Sequence, residues 1–287
     1  MDYAVNVRPA KSGEESLMNE FWAGVNGDLS MYDYHAYMKL DSDYLMVAAD
    51  KNDQPVGFGA VSKNTSDTVY LGNFIVREDM RGKGIGRQIW DAMVKRAGDM
   101  NIALDSEPDM VEWYMKKGFK YSSFKVTFYN VTLSEEMKKG HTQNCECRDV
   151  TEDLWPMLLD YDKQVYPTLD RERILRAWFS VDGVRVVVAL RGNQVVGYGS
   201  IHKKPNRQYG LRNVFANDET VVETLLMELF NGIPVGYVVR FMKVDDKPMP
   251  KYIEHSVDMA DSALRMYNKF LIETRTDKMW FASAHII

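Results

Sequence analysis

The feature that most constrains the fold of this 287-residue chain is that it contains itself twice. Residues 44–76 align with 184–216 without a gap. Gln54-Pro55-Val56-Gly57-Phe58-Gly59-Ala60-Val61-Ser62-Lys63 faces Gln194-Val195-Val196-Gly197-Tyr198-Gly199-Ser200-Ile201-His202-Lys203. Val69-Tyr70-Leu71-Gly72-Asn73-Phe74-Ile75-Val76 then faces Tyr209-Gly210-Leu211-Arg212-Asn213-Val214-Phe215-Ala216. The register holds through three apolar runs that have the length and the β-branched and aromatic content of strands. A register kept over three strands predicts two units of one fold joined head to tail. The polar, glycine-containing stretch from Lys138 to Asn144 is the natural connector, so the units are expected at 1–143 and 144–287.

Periodicity orders the first unit. Leu17, Phe21 and Val25 predict a helix over 14–27, and strands follow at 44–49, 56–62 and 69–76. Ile85, Ile89, Met93 and Ala97 form the apolar stripe of a helix over 84–98 that ends near Gly98. A buried strand at 101–104, a short helix at 110–117 stopped by Gly118, and a long alternating strand at 121–132 complete it. This order implies the α/β class, or α+β, with a central mixed, mainly antiparallel sheet flanked by helices in each unit. In the second unit, Val222, Leu225, Leu229 and Phe230 mark the corresponding helix, 235–242 a strand, and 261–272 a further helix.

One loop carries chemistry. In Phe74-Ile75-Val76-Arg77-Glu78-Asp79-Met80-Arg81-Gly82-Lys83-Gly84-Ile85-Gly86-Arg87 a strand enters a turn with glycines at alternate positions, and the turn opens an amphipathic helix. Glycine permits positive φ and lets N–H groups approach a ligand with no Cβ in the way. The free N–H groups and the dipole at a helix start favour a phosphate, and Arg81, Lys83 and Arg87 add positive charge. The spacing excludes a Walker loop and departs from the dinucleotide-binding Gly-x-Gly-x-x-Gly.

These residues resemble the GNAT superfamily of acyl-CoA-dependent N-acyltransferases. Arg81-Gly82-Lys83-Gly84-Ile85-Gly86 matches its Arg/Gln-x-x-Gly-x-Gly/Ala motif, and Tyr114-Met115-Lys116-Lys117-Gly118-Phe119 matches its Tyr-x-x-x-Gly-Phe ending. The resemblance covers essentially all of 1–143. It implies that the backbone of Phe74, Ile75 and Val76 pairs with the pantetheine arm of acetyl-CoA or another acyl-CoA. The amides from Gly82 to Arg87 then hold the pyrophosphate, with Arg81 beside them. It implies direct attack by an amine, with Tyr114 as the acid for the leaving thiolate. The acceptor would be a small-molecule or peptide amine. A lysine-like amine has a pKa of ~10.4 and must lose a proton before attack. Asp105 and Glu107 lie just past a strand end where a base often sits, but each reads equally as a solvated loop carboxylate or the cap of the following helix, so no base is assigned. Asn73, which recurs as Asn213, reads as structural. The segment holding Phe21, Trp22, Asp28, Met31, Tyr32, Asp33, Tyr34, Tyr37, Asp41 and Asp43 could hold a cationic amine or simply form a packed lid.

The second unit reads Asn217-Asp218-Glu219-Thr220 where the first has its glycine loop, and acidic side chains there would compete with a phosphate for the same N–H groups. The chain thus resembles a tandem GNAT protein with one intact and one degenerate copy. A non-catalytic acyl-CoA sensor or interaction protein is the alternative. The net charge of −5, with no basic half, argues against nucleic acid. Cys145 and Cys147 alone build no zinc site, and no metal is expected. No signal or membrane-spanning stretch is evident, so a cytoplasmic protein with no membrane partner is expected. Dimers are common in the family, which allows a homodimer.

Overall fold

The structure is a computed structural model that describes residues 2–23, 33–138 and 144–284. Strand β1 (Asn6–Pro9) precedes helices α1 (Glu14–Ala23) and α2 (Asp33–Leu40). Strands β2 (Leu45–Ala49), β3 (Pro55–Lys63) and β4 (Thr68–Val76) follow, then α3 (Ile85–Ala97), β5 (Asn101–Ser106), α4 (Val111–Lys116) and β6 (Tyr121–Thr132). The same order then repeats. Strand β7 (Glu146–Asp149), helices α5 (Trp155–Val165) and α6 (Glu172–Phe179), and strands β8 (Val184–Arg191), β9 (Gln194–Lys204) and β10 (Gln208–Ala216) lead to α7 (Glu219–Phe230). Strands β11 (Val238–Val244), β12 (Val257–Tyr267) and β13 (Met279–Ala282) end the described chain. The first helix, expected over 14–27, is described to Ala23, and residues 24–27 lie outside the described residues. So does most of the expected connector, 139–143. Cys145 and Cys147 are free thiols at the start of the second copy.

The repeat has a physical cause on each β3-type strand. A Cβ at Gly59 would fall 2.4 Å from the Met93 sulfur of α3, and one at Gly197 would fall 2.7 Å from the Phe215 carbonyl oxygen and 2.9 Å from Val221 of α7. The Val-Gly-aromatic-Gly pattern therefore lets a helix or neighbouring strand approach where a side chain would block it. Asn73 and Asn213 each sit in the left-handed region at φ 49°. Each lies where the ladder shifts register, between Gly72↔Ala60 and Ile75↔Phe58 in β4 and between Arg212↔Ser200 and Phe215↔Tyr198 in β10. Both are bulges that bend the strand, a structural role as the recurrence predicts.

The two copies are not two separate sheets. All thirteen strands form one sheet in the order β1-β2-β3-β4-β5-β12-β6-β11-β13-β10-β9-β8-β7. β5 and β6 of the first copy do not pair with each other. β12 of the second copy lies between them, in register from Tyr267↔Ala103 to Leu264↔Ser106 on one side and from Tyr267↔Tyr121 to Val257↔Val131 on the other. Reciprocally, β6 pairs with β11 from Val238↔Thr132 to Val244↔Val126. Each copy thus gives its last long strand to the other. This corrects the helix expected over 261–272, since 257–267 is strand β12. Met, Ala and Leu there favour helix weakly, and a slot that satisfies the backbone on both edges overrides that preference.

Helix α3 packs on the first copy through Ile85, Ile89 and Met93, and α7 on the second through Val222, Leu225 and Leu229. On the other face one core runs through both copies. There α2 meets α6, with Tyr37 stacked on Tyr44 and edge-on to Trp178 at 5.1 Å. No helix among the described residues is long and apolar enough to cross a membrane.

A buried ion pair clasps the exchanged strand. Arg265 of β12 donates to both carboxylate oxygens of Asp105 on β5, from Nε at 2.5 Å and from a terminal nitrogen at 3.0 Å. The two side chains are 1% and 7% exposed. Breaking a pair at that depth leaves an uncompensated charge, which costs about 3–5 kcal/mol. Arg265→Met is therefore expected to lower the unfolding free energy by about that amount, measured by urea denaturation.

Candidate active site

Strands β4 and β5 run parallel and pair only over Thr68–Tyr70 and Asn101–Ala103. Beyond Tyr70 they diverge, and the arms Leu71–Phe74 and Leu104–Asp105 line a cavity of about 340 Å3. Phe74 lines it directly. Ile75 and Val76 continue the same arm, with Ile75 in register with Phe58 of β3 and its side chain buried.

The arm ends in the glycine turn. Gly82 and Gly84 take φ of 74° and 77°, conformations open to glycine at little cost, and Gly84 is the N-cap of α3 with no side-chain cap. A Cβ at Gly84 would lie 2.5 Å from the Asp2 carboxyl carbon. The first helical hydrogen bond runs from the Gln88 N–H to the Gly84 carbonyl at 3.4 Å, so the N–H groups of Ile85, Gly86 and Arg87 have no intrahelical acceptor. Met80 is buried under the turn and anchors it, while the Ile85 side chain lies in the core and leaves only its backbone for a ligand. Arg81 donates to the Val76 carbonyl, Lys83 to that of Asp79, and Arg87 is exposed beside Asp91. These groups are contiguous along the turn, and the cavity at the other end of the arm holds Tyr114.

The second copy has the same two features, both closed. β10 and β11 pair over Gln208–Gly210 and Val238–Arg240 and then diverge, but β13 fills the gap. Its Phe281 is in register with Val214 on one arm and with Lys243 on the other. At the start of α7, the Asp218 carboxylate accepts the Val221 N–H at 3.1 Å, so the chain's own acid sits where a phosphate would bind.

Tyr114 on α4 lies among Trp90, Trp113 and Phe119, with ring centroids 5.0–5.6 Å away. Burial, and then the charge of Glu107, push its hydroxyl up to about 12, so it holds its proton at neutral pH. The two candidate bases separate cleanly. Asp105 is occupied, since both oxygens take Arg265 and one also accepts the Tyr70 hydroxyl at 3.0 Å. Glu107 lines the cavity, reaches solvent, and is held above the usual carboxylate range by partial burial and then by Asp261 and Asp109.

Of the aromatic and acidic segment, read from the sequence equally as an amine site or a packed lid, most described residues pack or pair away from the cavity. Asp28, Met31 and Tyr32 lie outside the described residues. Asp33 pairs with Arg212 at 2.6 Å and Asp41 with Arg96 at 2.7 Å, so these carboxylates are engaged. Phe21 packs on Phe58, Tyr34 against His35, and Tyr37 is core, while Asp43 is exposed. Trp22 does line the cavity. The rest of the wall comes from residues that sequence reasoning missed. These are Phe128 of β6, Arg212, Arg240 and Met242 of the second copy, Asp261–Ala263 of β12, and Ala282–Ala284 at the end of β13. The insertion of β12 beside β5 brings Asp261–Ala263 there. No group of three or more His, Cys, Asp or Glu placed to hold a metal occurs among the described residues.

Comparison with known proteins agrees with this geometry. A family model described as an acetyltransferase (GNAT) domain matches residues 20–139, and another of the same description matches 158–278. The chain is 25% identical over 235 residues to the holothin acyltransferase of Pseudoalteromonas sp. (strain SANK 73390), covering 80% of this chain and 75% of that protein. Its fold is similar to that of a putative acetyltransferase from Pyrococcus horikoshii, with a TM-score of 0.77 at 18% identity, covering 98% and 95% of the two chains. It is also similar to a tandem GNAT protein from the clavulanic acid biosynthesis pathway, with a TM-score of 0.66 at 12% identity, covering 92% and 98%. With an open cleft and glycine turn in one copy, the same features closed in the other, and both copies matched, the chain belongs to the GNAT superfamily of acyltransferases as a tandem member.

Proposed function

We propose that this acyltransferase takes its acyl group from acyl-CoA, acetyl-CoA being the first to test, and passes it to an amine by direct attack. The observation that carries this reading is the contrast between the copies. Between β10 and β11 an extended segment pairs with both arms, so the first copy's open counterpart suits the amide-bearing pantetheine along Phe74, Ile75 and Val76. The uncapped N–H groups from Gly82 to Arg87 then face the pyrophosphate, and Arg81, Lys83 and Arg87 supply countercharge. This arrangement puts the thioester in the cavity with Tyr114 and Glu107.

In the reaction the amine nitrogen gives a proton to Glu107, directly or through one water, and bonds to the thioester carbonyl carbon. The carbon–sulfur bond breaks, Tyr114 protonates the departing thiolate, and the proton still left on the nitrogen of an amine that entered as ammonium passes to the resulting phenolate. The raised range of Glu107 makes it a stronger base than an ordinary carboxylate, and the retained proton of Tyr114 makes it an available acid. A cavity with both groups favours catalysis over the sensor reading.

Calorimetric titration of acetyl-CoA is expected to show one site per chain. That site is lost in a Gly84→Glu variant that remains folded, because the substitution adds a strained side chain and a negative charge at the phosphate position. Binding at two sites, or none, overturns the assignment. Glu107→Gln is expected to lower kcat by about 10²–10⁴-fold while acetyl-CoA binding persists, and to remove the limb in which kcat/KM rises with pH. A carboxyl raised in the folded state stabilises below its unfolded pKa and loses that stability as pH climbs through the folded one. The Gln variant is therefore expected to melt no lower than wild type at neutral pH, as scanning calorimetry can check. Tyr114→Phe is expected to lower kcat with little change in acetyl-CoA affinity, read by thiol release.

A further inference from the structure

Arg240 is an exception among the arginines of the interior. Arg171 holds Asp162, Arg212 holds Asp33 and Arg265 holds Asp105, each within 3.0 Å. Arg240, on β11, lines the cavity half-buried, and among the described residues its guanidinium makes no ion pair. Its Nε is buried with no hydrogen-bond partner. Arg96, Arg171 and Arg265 also have a buried nitrogen with no hydrogen-bond partner, but each holds a carboxylate through its other nitrogens. Arg240 holds none among the described residues, and a buried donor left without an acceptor is costly.

Its position says what that something is. The Arg240 guanidinium stacks over the ring of Phe128 at 5.2 Å. Phe128 is in register with Asp261 of β12, and Asp261 is close enough to raise the Glu107 carboxyl. One aromatic ring thus separates a free cation from a pair of carboxylates in the same cavity. Trp22, Tyr114, Met242 and Ala263 add an apolar and aromatic part to a wall that also holds Asn73, Ser262 and Ser283.

We propose that the acceptor is an amine that also carries a carboxylate, as an α-amino acid does, with its carboxylate on Arg240 and its amine at Glu107 and Asp261. The acceptor then lies across Phe128, and its side chain meets the apolar wall. The neighbouring acids disfavour a dianionic phosphate and favour a single negative charge on a planar group that accepts two N–H bonds from the guanidinium. This rests on the acyltransferase reading and names its substrate class. In that arrangement the second copy, having lost its own cofactor site, supplies the specificity of the first.

The test measures thiol release from acetyl-CoA with each standard α-amino acid beside the amine that its decarboxylation leaves. It uses the whole chain and Arg240→Met, with the acetyl-CoA Kd of both determined by calorimetry. At least one amino acid is expected to exceed its decarboxylated partner in kcat/KM by roughly tenfold or more, the effect of a charge-assisted bidentate contact. In Arg240→Met that ratio falls toward one through KM, with the acetyl-CoA Kd unmoved. Equal use of acid and amine, a ratio unchanged by Arg240→Met, or acylation of neither series by protein that binds acetyl-CoA overturns the inference and leaves the cofactor assignment standing. A wild type that binds no acyl-CoA defeats both.

Discussion

The antiparallel pair of β6 and β12 is the constraint on which the rest of this molecule depends. Each strand belongs to one copy by sequence and completes the sheet of the other by hydrogen bonding. β5 would otherwise present an unpaired edge, and so would β11. Pairing them crosswise leaves neither edge open and joins two repeats into a single thirteen-stranded sheet. The Asp105–Arg265 pair reinforces the exchange at the point where it borders the cavity, and the same Arg265 donates to the Ser283 carbonyl at 3.1 Å. The clasp therefore ties β5, β12 and Ser283 together beside the cavity.

The exchange also ties to the first copy a second copy whose own splay and helix start are closed. In the second unit, Asp218 caps α7 and β13 occupies the splay between β10 and β11. Both changes satisfy groups that a cofactor would otherwise satisfy, namely helix N–H groups and strand-edge amides. The second unit places Arg212, Arg240, Met242 and the end of β13 against a cavity whose splayed arms, β4 and β5, belong to the first unit. Both copies thus contribute walls to one cavity.

Charge in the cavity is distributed by what each group is bonded to. Of the carboxylates near it, Asp33 and Asp105 are bound to arginines, while Glu107 stands at the solvent side with a raised pKa. Tyr114 is shielded among rings and keeps its proton. An acid and a base with separated environments in one site are what acyl transfer to a protonated amine needs.

The sequence by itself determined everything that is local. The Gly57 and Gly59 pattern and its recurrence at Gly197 and Gly199, the bulge asparagines, the strand-to-helix turn from Phe74 to Arg87, and Tyr114 before Gly118-Phe119 are all set by interactions within a few turns or one hairpin. Such signals are readable because backbone sterics and hydrophobic period act over a dozen residues. Tertiary structure alone decided which edges meet. β12 lies more than a hundred residues from β5, and its Met- and Ala-rich composition leans toward helix, so only the open slot makes it a strand. The same holds for the fate of each charge. No local rule tells Asp105, which finds Arg265, from Glu107, which has no such partner among the described residues, or marks Arg240 as a cavity arginine with no carboxylate among them. Those outcomes depend on distances across the assembled sheet, and in a low-dielectric cavity a partner within 3 Å decides whether a charge is structural or free to bind.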